Sequence, residues 1–267
     1  METGSENSVR LENAQKYGKY GPGIQDFYAM FQPLYSGDDG ALWGFESLLR
    51  FYNTLTGAIP PETIIPIIEA RGCALIAESV ILRETTDLLK RIDALGQAAK
   101  GSINISPNQM RQRDLIPRLE EHMECEGLLK ENLVLEITED CYADADATVR
   151  FATEAKECGF SVSIDDFGKG YTSPEMILEV PSDIVKIDKD FIQKSRRSDY
   201  KRIVEPLAEY CRKAGILLCQ EGVEEKRQLE LCKELRIDII QGFYYSEAVT
   251  ANQLMKLAQC QERTEIT

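Results

Sequence analysis

The chain has 267 residues, 43% of them apolar, enough for one large domain with a sizeable core and a poor match to collagen-like, disordered or disulfide-framework classes. Asp and Glu (45) outnumber Lys and Arg (31) for a net charge of −14, a field that repels nucleic-acid backbones and anionic membranes, so no DNA or RNA polymer is expected as a partner. With one histidine, His122, a His-rich zinc site, a two-histidine motif or a Ser-His-Asp triad has almost nothing to work with, and carboxylates must carry any acid–base or metal chemistry.

Residues 1–23 are polar and glycine-bearing, lack the apolar stretch of a secretory signal, and read as a flexible leader. A single domain is expected over 24–260, followed by a C-terminal tail at 261–267. Apolar runs predict strands over 27–35 (FYAMFQPLY), 42–51 (LWGFESLLRF), 101–106 (GSINIS) and 133–139 (LVLEITE). Four more follow at 161–168 (SVSIDDFG), 183–188 (DIVKID), 215–224 (GILLCQEGVE) and 238–246 (DIIQGFYYS). Amphipathic segments lie between most of them, for example 64–92, 114–128 and 145–158, the last closed by Gly159 as a C′ glycine. No apolar run approaches the ~18 residues of a membrane span. The eight cysteines contain no C-x-x-C pair and read as free thiols of a reducing cytosol, so a soluble, cytoplasmic protein is expected.

Repeated strand–helix units of this number and length predict an α/β fold of the TIM-like (β/α)-barrel type, with a doubly wound open sheet as the main competitor. The polar residues separate the two. A buried parallel strand has no reason to be anything but apolar, yet Glu46, Asn104, Glu136, Asp165, Asp166, Lys186, Glu221 and Gln241 stand at or near the ends of the predicted strands. In a barrel these ends converge on one pocket; in an open sheet they would be strung along an edge.

Five carboxylates in one partly buried pocket repel one another and lose hydration unless cations neutralise them. Oxygen donors without His or Cys favour Mg²⁺ or Mn²⁺ over zinc. The adjacent pair Asp165–Asp166 can place one carboxylate between two ions and the other on one of them, which points to a two-metal phosphoryl displacement. A Mg²⁺ barrel enzyme using the strand-end lysine for proton abstraction is the alternative that this chemistry leaves open. Among carboxylates Lys186 keeps its charge, which suits it to orienting water better than to acting as a neutral base. Asp188 is read as a structural partner of Lys186.

GFESLLR, NISPNQM, LEITE, IDDFGKGYTS, VKID, QEGVE and QGFYYS, in this order, resemble the EAL family of cyclic-di-GMP phosphodiesterases over roughly residues 27–257. The resemblance implies a modified (β/α)8 barrel with its first strand antiparallel. It also implies metal-dependent hydrolysis of cyclic-di-GMP to linear pGpG in bacterial second-messenger signalling, with two Mg²⁺ or Mn²⁺ ions and with Ca²⁺ inhibitory. By the same resemblance Glu46, Asn104, Glu136 and Asp165 match the ligands of one metal, and Asp165, Asp166 and Glu221 those of the second. Lys186 matches the lysine on the hydrolytic water and Gln241 the amide near the metal-bound water network. Arg50 matches a phosphate contact, and Gln32 and Glu224 match substrate-side positions. Glu139 matches the glutamate bracing the loop after Asp165–Asp166, through which the family implies a homodimer.

The pattern departs at Ser47, which replaces the signature alanine, at Lys169 and Thr172–Pro174 in that loop, and at Glu247 and Ala248 after the QG-aromatic motif. A catalytically silent member that binds cyclic-di-GMP or a protein partner is the second functional reading.

Overall fold

The computed structural model describes residues 26–53, 57–70, 73–169, 174–194 and 196–262. The expected leader at 1–23 lies outside the described residues, as do 170–173 after the aspartate pair and 263–267 of the expected tail at 261–267, whose first two residues belong to the last helix.

Two long strands, β1 (Phe27–Ser36) and β2 (Leu42–Asn53), form an antiparallel hairpin in which Gln32 stands opposite Glu46. β3 (Gly57–Ile59) adds a short antiparallel edge to β2. The remaining strands follow as β4 (Lys100–Ile105), β5 (Leu133–Ile137), β6 (Ser161–Phe167), β7 (Ile184–Ile187), β8 (Leu217–Gln220) and β9 (Ile239–Ile240). From β2 through β4 to β9 each neighbour pairs parallel. β1 closes the ring, antiparallel to both β2 and β9. The result is an eight-stranded barrel with an antiparallel first strand, as the resemblance implied, and the open-sheet alternative is excluded.

Ten helices among the described residues accompany the strands. They are α1 (Pro61–Ala70), α2 (Ala74–Asp93), α3 (Pro107–Met110), α4 (Leu115–Glu126) and α5 (Ala145–Glu157). The second half holds α6 (Pro174–Glu179), α7 (Lys189–Lys194), α8 (Arg197–Ala214), α9 (Lys226–Leu235) and α10 (Ala251–Glu262). The amphipathic stretch 64–92 is thus two helices, with Cys73 as the N-cap of the second. None is long and apolar enough to cross a membrane.

Period-two alternation divides the strand residues between two environments. On β5, Leu135 and Ile137 join Ile103, Ile105, Val162, Ile164, Val185 and Ile187 in the layer beneath the helices. Val134, one residue out of phase, joins Leu34, Ile184, Cys219 and Ile239 in the barrel interior. Glu136, two residues beyond Val134, continues the inward row one layer higher, where the lining becomes polar. The sequence overestimated three strand ends. β8 stops at Gln220 and β9 at Ile240. After β9 the FYYS stretch turns instead of extending, held by bonds from Tyr245 N–H and Ser246 N–H to the Gly242 carbonyl at 3.1 and 3.2 Å. β5 stops at Ile137, and Glu139 opens a 3-10 turn through Ala143.

Candidate active site

Lys186 on β7 sits at the centre of the polar layer, only 2% exposed, with four carboxylates on one ammonium. Its Nζ lies 3.1 Å from Glu46 Oε2, 3.2 Å from Glu136 Oε2, 3.0 Å from Asp165 Oδ1 and 2.9 Å from Glu221 Oε1. These partners come from β2, β5, β6 and the segment after β8, so barrel closure itself gathers them. Asn104 on β4 donates to Glu46 Oε1 at 3.2 Å, and Gln241 after β9 donates to Glu46 Oε2 at 2.8 Å.

The adjacent aspartates diverge because β6 is irregular. Its pairing with β7 shifts between Ile164 and Phe167, and Asp166 takes a left-handed φ of 52°. A bulge of this kind breaks the alternation and re-aims side chains at the end of a strand. Asp165 accordingly meets Lys186, whereas Asp166 gathers with Asp188 and Glu221, one carboxylate oxygen of each lying within 4.8 Å of the others. The two groups share the mouth of the barrel.

Four acids around one lysine leave an excess of negative charge. Burial, reinforced by Glu46 and Asp165, pushes the Glu136 carboxyl well above the usual range despite Lys186. Burial and the charges of Glu46 and Asp166 likewise raise Asp165. Glu221 is pushed up to about 8 by burial together with Asp165 and Glu46. Glu46 goes the other way: burial opposes its ionisation, but Lys186, Gln241 and Asn104 together hold it below the ordinary value. Burial alone would lower the Lys186 pKa, yet the four carboxylates hold it well above the usual lysine value.

The donor set fits hard divalent cations. It consists of oxygens, and two buried ones have no hydrogen-bond partner among the described residues: Gln241 Oε1, and Asp165 Oδ1, which has the Lys186 ion pair without hydrogen-bond geometry. Protons forced onto carboxylates by mutual repulsion are what a bound cation replaces.

The structure brings together Glu46, Asn104, Glu136, Asp165, Asp166, Lys186, Glu221 and Gln241. Gln32 is buried beside Glu46, and its amide donates to the Ser246 carbonyl at 2.5 Å, tying β1 to the last loop. Arg50 is half-buried, with Nη1 3.0 Å from the carbonyl of Leu49. Glu224 stands apart, exposed and accepting from Gln193 at 3.0 Å. Glu139 has left the strand on which alternation would have oriented it, and its side chain lies outside the described residues.

Asp188 corrects the sequence reading. It does not join the acids that pair with Lys186 but turns to Asp166 and Glu221, buried to 3% exposure. Its Oδ1 accepts from Asp190 N–H at 2.8 Å. The signal was available in the VKID run, where an acid follows a strand buried at every position.

The fold and site define a buried acidic centre, lined by oxygens of the kind that hold hard divalent cations, at the mouth of a modified (β/α)8 barrel. The chain belongs to the EAL domain family, whose sequence profile matches residues 22–248. Among curated relatives it is 29% identical over 238 residues to "Cyclic di-GMP phosphodiesterase PdeL" of Escherichia coli (strain K12), covering 86% of this chain and 64% of that protein. It is 26% identical over 246 residues to "Biofilm architecture maintenance protein MbaA" of Vibrio cholerae, covering 92% and 31%. The chain therefore spans roughly one third to two thirds of the length of these relatives. Among solved structures, the PaMucR phosphodiesterase in complex with c-di-GMP superposes with a TM-score of 0.78 at 27% identity, covering 92% of this chain and 99% of that one. The EAL enzyme Bd1971 with cAMP and cyclic-di-GMP bound gives 0.84 at 25% identity, covering 96% and 70%.

Proposed function

We propose that this chain hydrolyses one phosphodiester bond of cyclic-di-GMP to give linear pGpG. The observation that carries the reading is a pair of adjoining oxygen clusters, Glu46–Asn104–Glu136–Asp165 and Asp166–Asp188–Glu221, both of which Lys186 reaches, the second through Glu221. The substrate assignment is supported by relatives named cyclic di-GMP phosphodiesterases and by structural neighbours solved with that nucleotide.

These clusters would hold two Mg²⁺ or Mn²⁺ ions, whose Lewis acidity would lower the pKa of water and offset charge on the phosphate. The chain's own groups do the rest. Glu46, Glu136, Asp165, Asp166, Asp188 and Glu221 would hold the ions, and Asn104 and Gln241 fix the Glu46 carboxylate by hydrogen bonds. Lys186 keeps its proton in this field, so it orients an attacking water by donation and does not act as the base. Arg50, four residues along β2 from Glu46, supplies a planar cation for a phosphate in an otherwise negative protein. Gln32 holds the last loop against β1 through Ser246. A homodimer contacting through the segment after Asp166 belongs to the same reading, as does a cytoplasmic setting, for which eight cysteines that form no disulfide speak.

The test is incubation of purified chain with cyclic-di-GMP and separation of the nucleotides by chromatography. pGpG should form with Mg²⁺ or Mn²⁺ and stop with chelator. Ca²⁺, larger and looser in coordination, should support nucleotide binding without turnover. Binding without product in every metal would overturn the hydrolase reading in favour of a silent receptor.

A further inference from the structure

The turn that carries the aspartate pair closes with a hydrogen bond from Lys169 N–H to the Asp166 carbonyl at 3.1 Å. That closure folds Lys169 back over residue 166 and leaves its Nζ 3.1 Å from Asp166 Oδ2. The turn is tightly determined. Gly168 adopts φ +97°, and a Cβ at that position would lie 2.0 Å from the Phe191 ring. Asp166 is also one of the three acids whose oxygens gather within 4.8 Å. A cation of the chain itself thus sits on one of the three carboxylates available to the second divalent ion.

The ammonium has somewhere to go. Its side chain is 53% exposed and borders an open pocket of about 200 Å³ shared with Gly168, Asp188, Asp190 and Phe191. Asp190 lines the same pocket, so an acidic group stands on the side to which the ammonium would move. Moving from Asp166 towards Asp190 and solvent therefore leaves the lysine in an acidic neighbourhood.

We propose that Lys169 is a tethered competitor for the second divalent cation: its ammonium occupies Asp166 in the metal-free chain and must be displaced when a cation takes that carboxylate. This rests on the two-cation reading above and adds the residue that sets how much metal the site requires. The exchange is of ions only, with no covalent step. Because the competitor is part of the chain, its effective concentration at Asp166 does not fall on dilution, so it weakens binding there by a fixed factor. The position built by Glu46, Asn104, Glu136 and Asp165 is left unaffected.

The experiment is Mn²⁺ binding without nucleotide, followed by calorimetry and by the paramagnetic resonance signal of free Mn²⁺, on wild type, Lys169→Met, Lys169→Gln and Lys169→Arg. Melting curves confirm the fold of each variant. Met and Gln should tighten the weaker of two binding events by about three- to tenfold at low salt, the range expected when an exposed ion pair and its repulsion of the incoming ion are removed together. Arg should behave as wild type. The gap between Met and wild type should narrow in about 0.5 M KCl, where exposed charges are screened, which a merely structural role of the side chain would not produce. Superimposable isotherms for wild type, Met and Gln, or an Arg variant as tight as Met, would overturn the proposal while leaving the two-cation reading standing. Absence of any Mn²⁺ binding by wild type would overturn both.

Discussion

Gln241 Nε2 donates to Glu46 Oε2 at 2.8 Å, a bond between groups 195 residues apart that joins the segment after the last strand to the EAL-signature glutamate. The same oxygen lies 3.1 Å from Lys186 Nζ, so Glu46 is held from two sides before any ligand arrives. Gln241 thereby positions the Glu46 carboxylate. Gln241→Leu keeps approximate volume and removes the donor, and should lower turnover of cyclic-di-GMP by about 10–100-fold with an unchanged circular-dichroism spectrum. Activity within twofold of wild type would remove this bond from the mechanism.

Asp188→Asn tests the residue that the structure added to the site. It preserves size while deleting one carboxylate from the Asp166–Asp188–Glu221 group, so it should raise the metal concentration for half-maximal rate by about tenfold or more. A metal titration of rate that superimposes on wild type would return Asp188 to a structural role.

The Glu221 carboxyl, pushed up to about 8, makes metal-free stability depend on pH. A group whose pKa is higher in the folded state contributes stability that is fully present below its unfolded value, near 4.5, and is lost as pH rises through about 8. Glu221→Gln carries no such dependence. In chelator, the melting temperature of wild type relative to Glu221→Gln should therefore fall between about pH 5 and pH 9, by several degrees at about 2–4 °C per kcal/mol. Saturating Mg²⁺ should shrink the trend, since a bound cation takes the place of the proton. A difference that is flat with pH would contradict the burial argument.

Gly168→Ala should destabilise the turn on two counts, the left-handed φ and the contact with Phe191, at a cost of about 1–3 kcal/mol. Adding Phe191→Leu should recover the steric part and leave the backbone part, a partition that melting of the two single variants and the double variant would measure. A Gly168→Ala protein as stable as wild type would show that the turn can rearrange.

The sequence disclosed most of this site because carboxylates, an amide and a lysine in strands otherwise buried and apolar have no packing reason to be there. Chain order and strand polarity converted them into one pocket. The neighbours of Asp188 were misjudged because Lys186, two residues before it, offered an obvious partner. The structure instead spends Lys186 on Glu46, Glu136, Asp165 and Glu221, a choice that depends on strands distant in sequence. The bulge at Asp165–Asp166 was hidden for a related reason: two adjacent acids read the same in a regular strand and in an irregular one. Continuous apolar periodicity concealed the break between α1 and α2. At β9 the apolar QGFYYS run looked like strand, although its backbone bonds close turns. The bond from the Gln32 amide to Ser246 was not legible because its partner lies 214 residues along the chain.

The central claim is that water held in the divided acidic site attacks phosphorus, and hydrolysis in ¹⁸O-labelled water tests it most directly. Attack at phosphorus breaks the bond to the 3′ oxygen, which leaves as the hydroxyl, and places the solvent oxygen on the new terminal phosphate. Mass spectrometry should find one ¹⁸O per pGpG in that 5′ phosphate, with formation abolished by chelator and by Glu46→Ala. Unlabelled phosphate in the product, or no product at all from a protein that binds both Mg²⁺ and cyclic-di-GMP, would contradict the account.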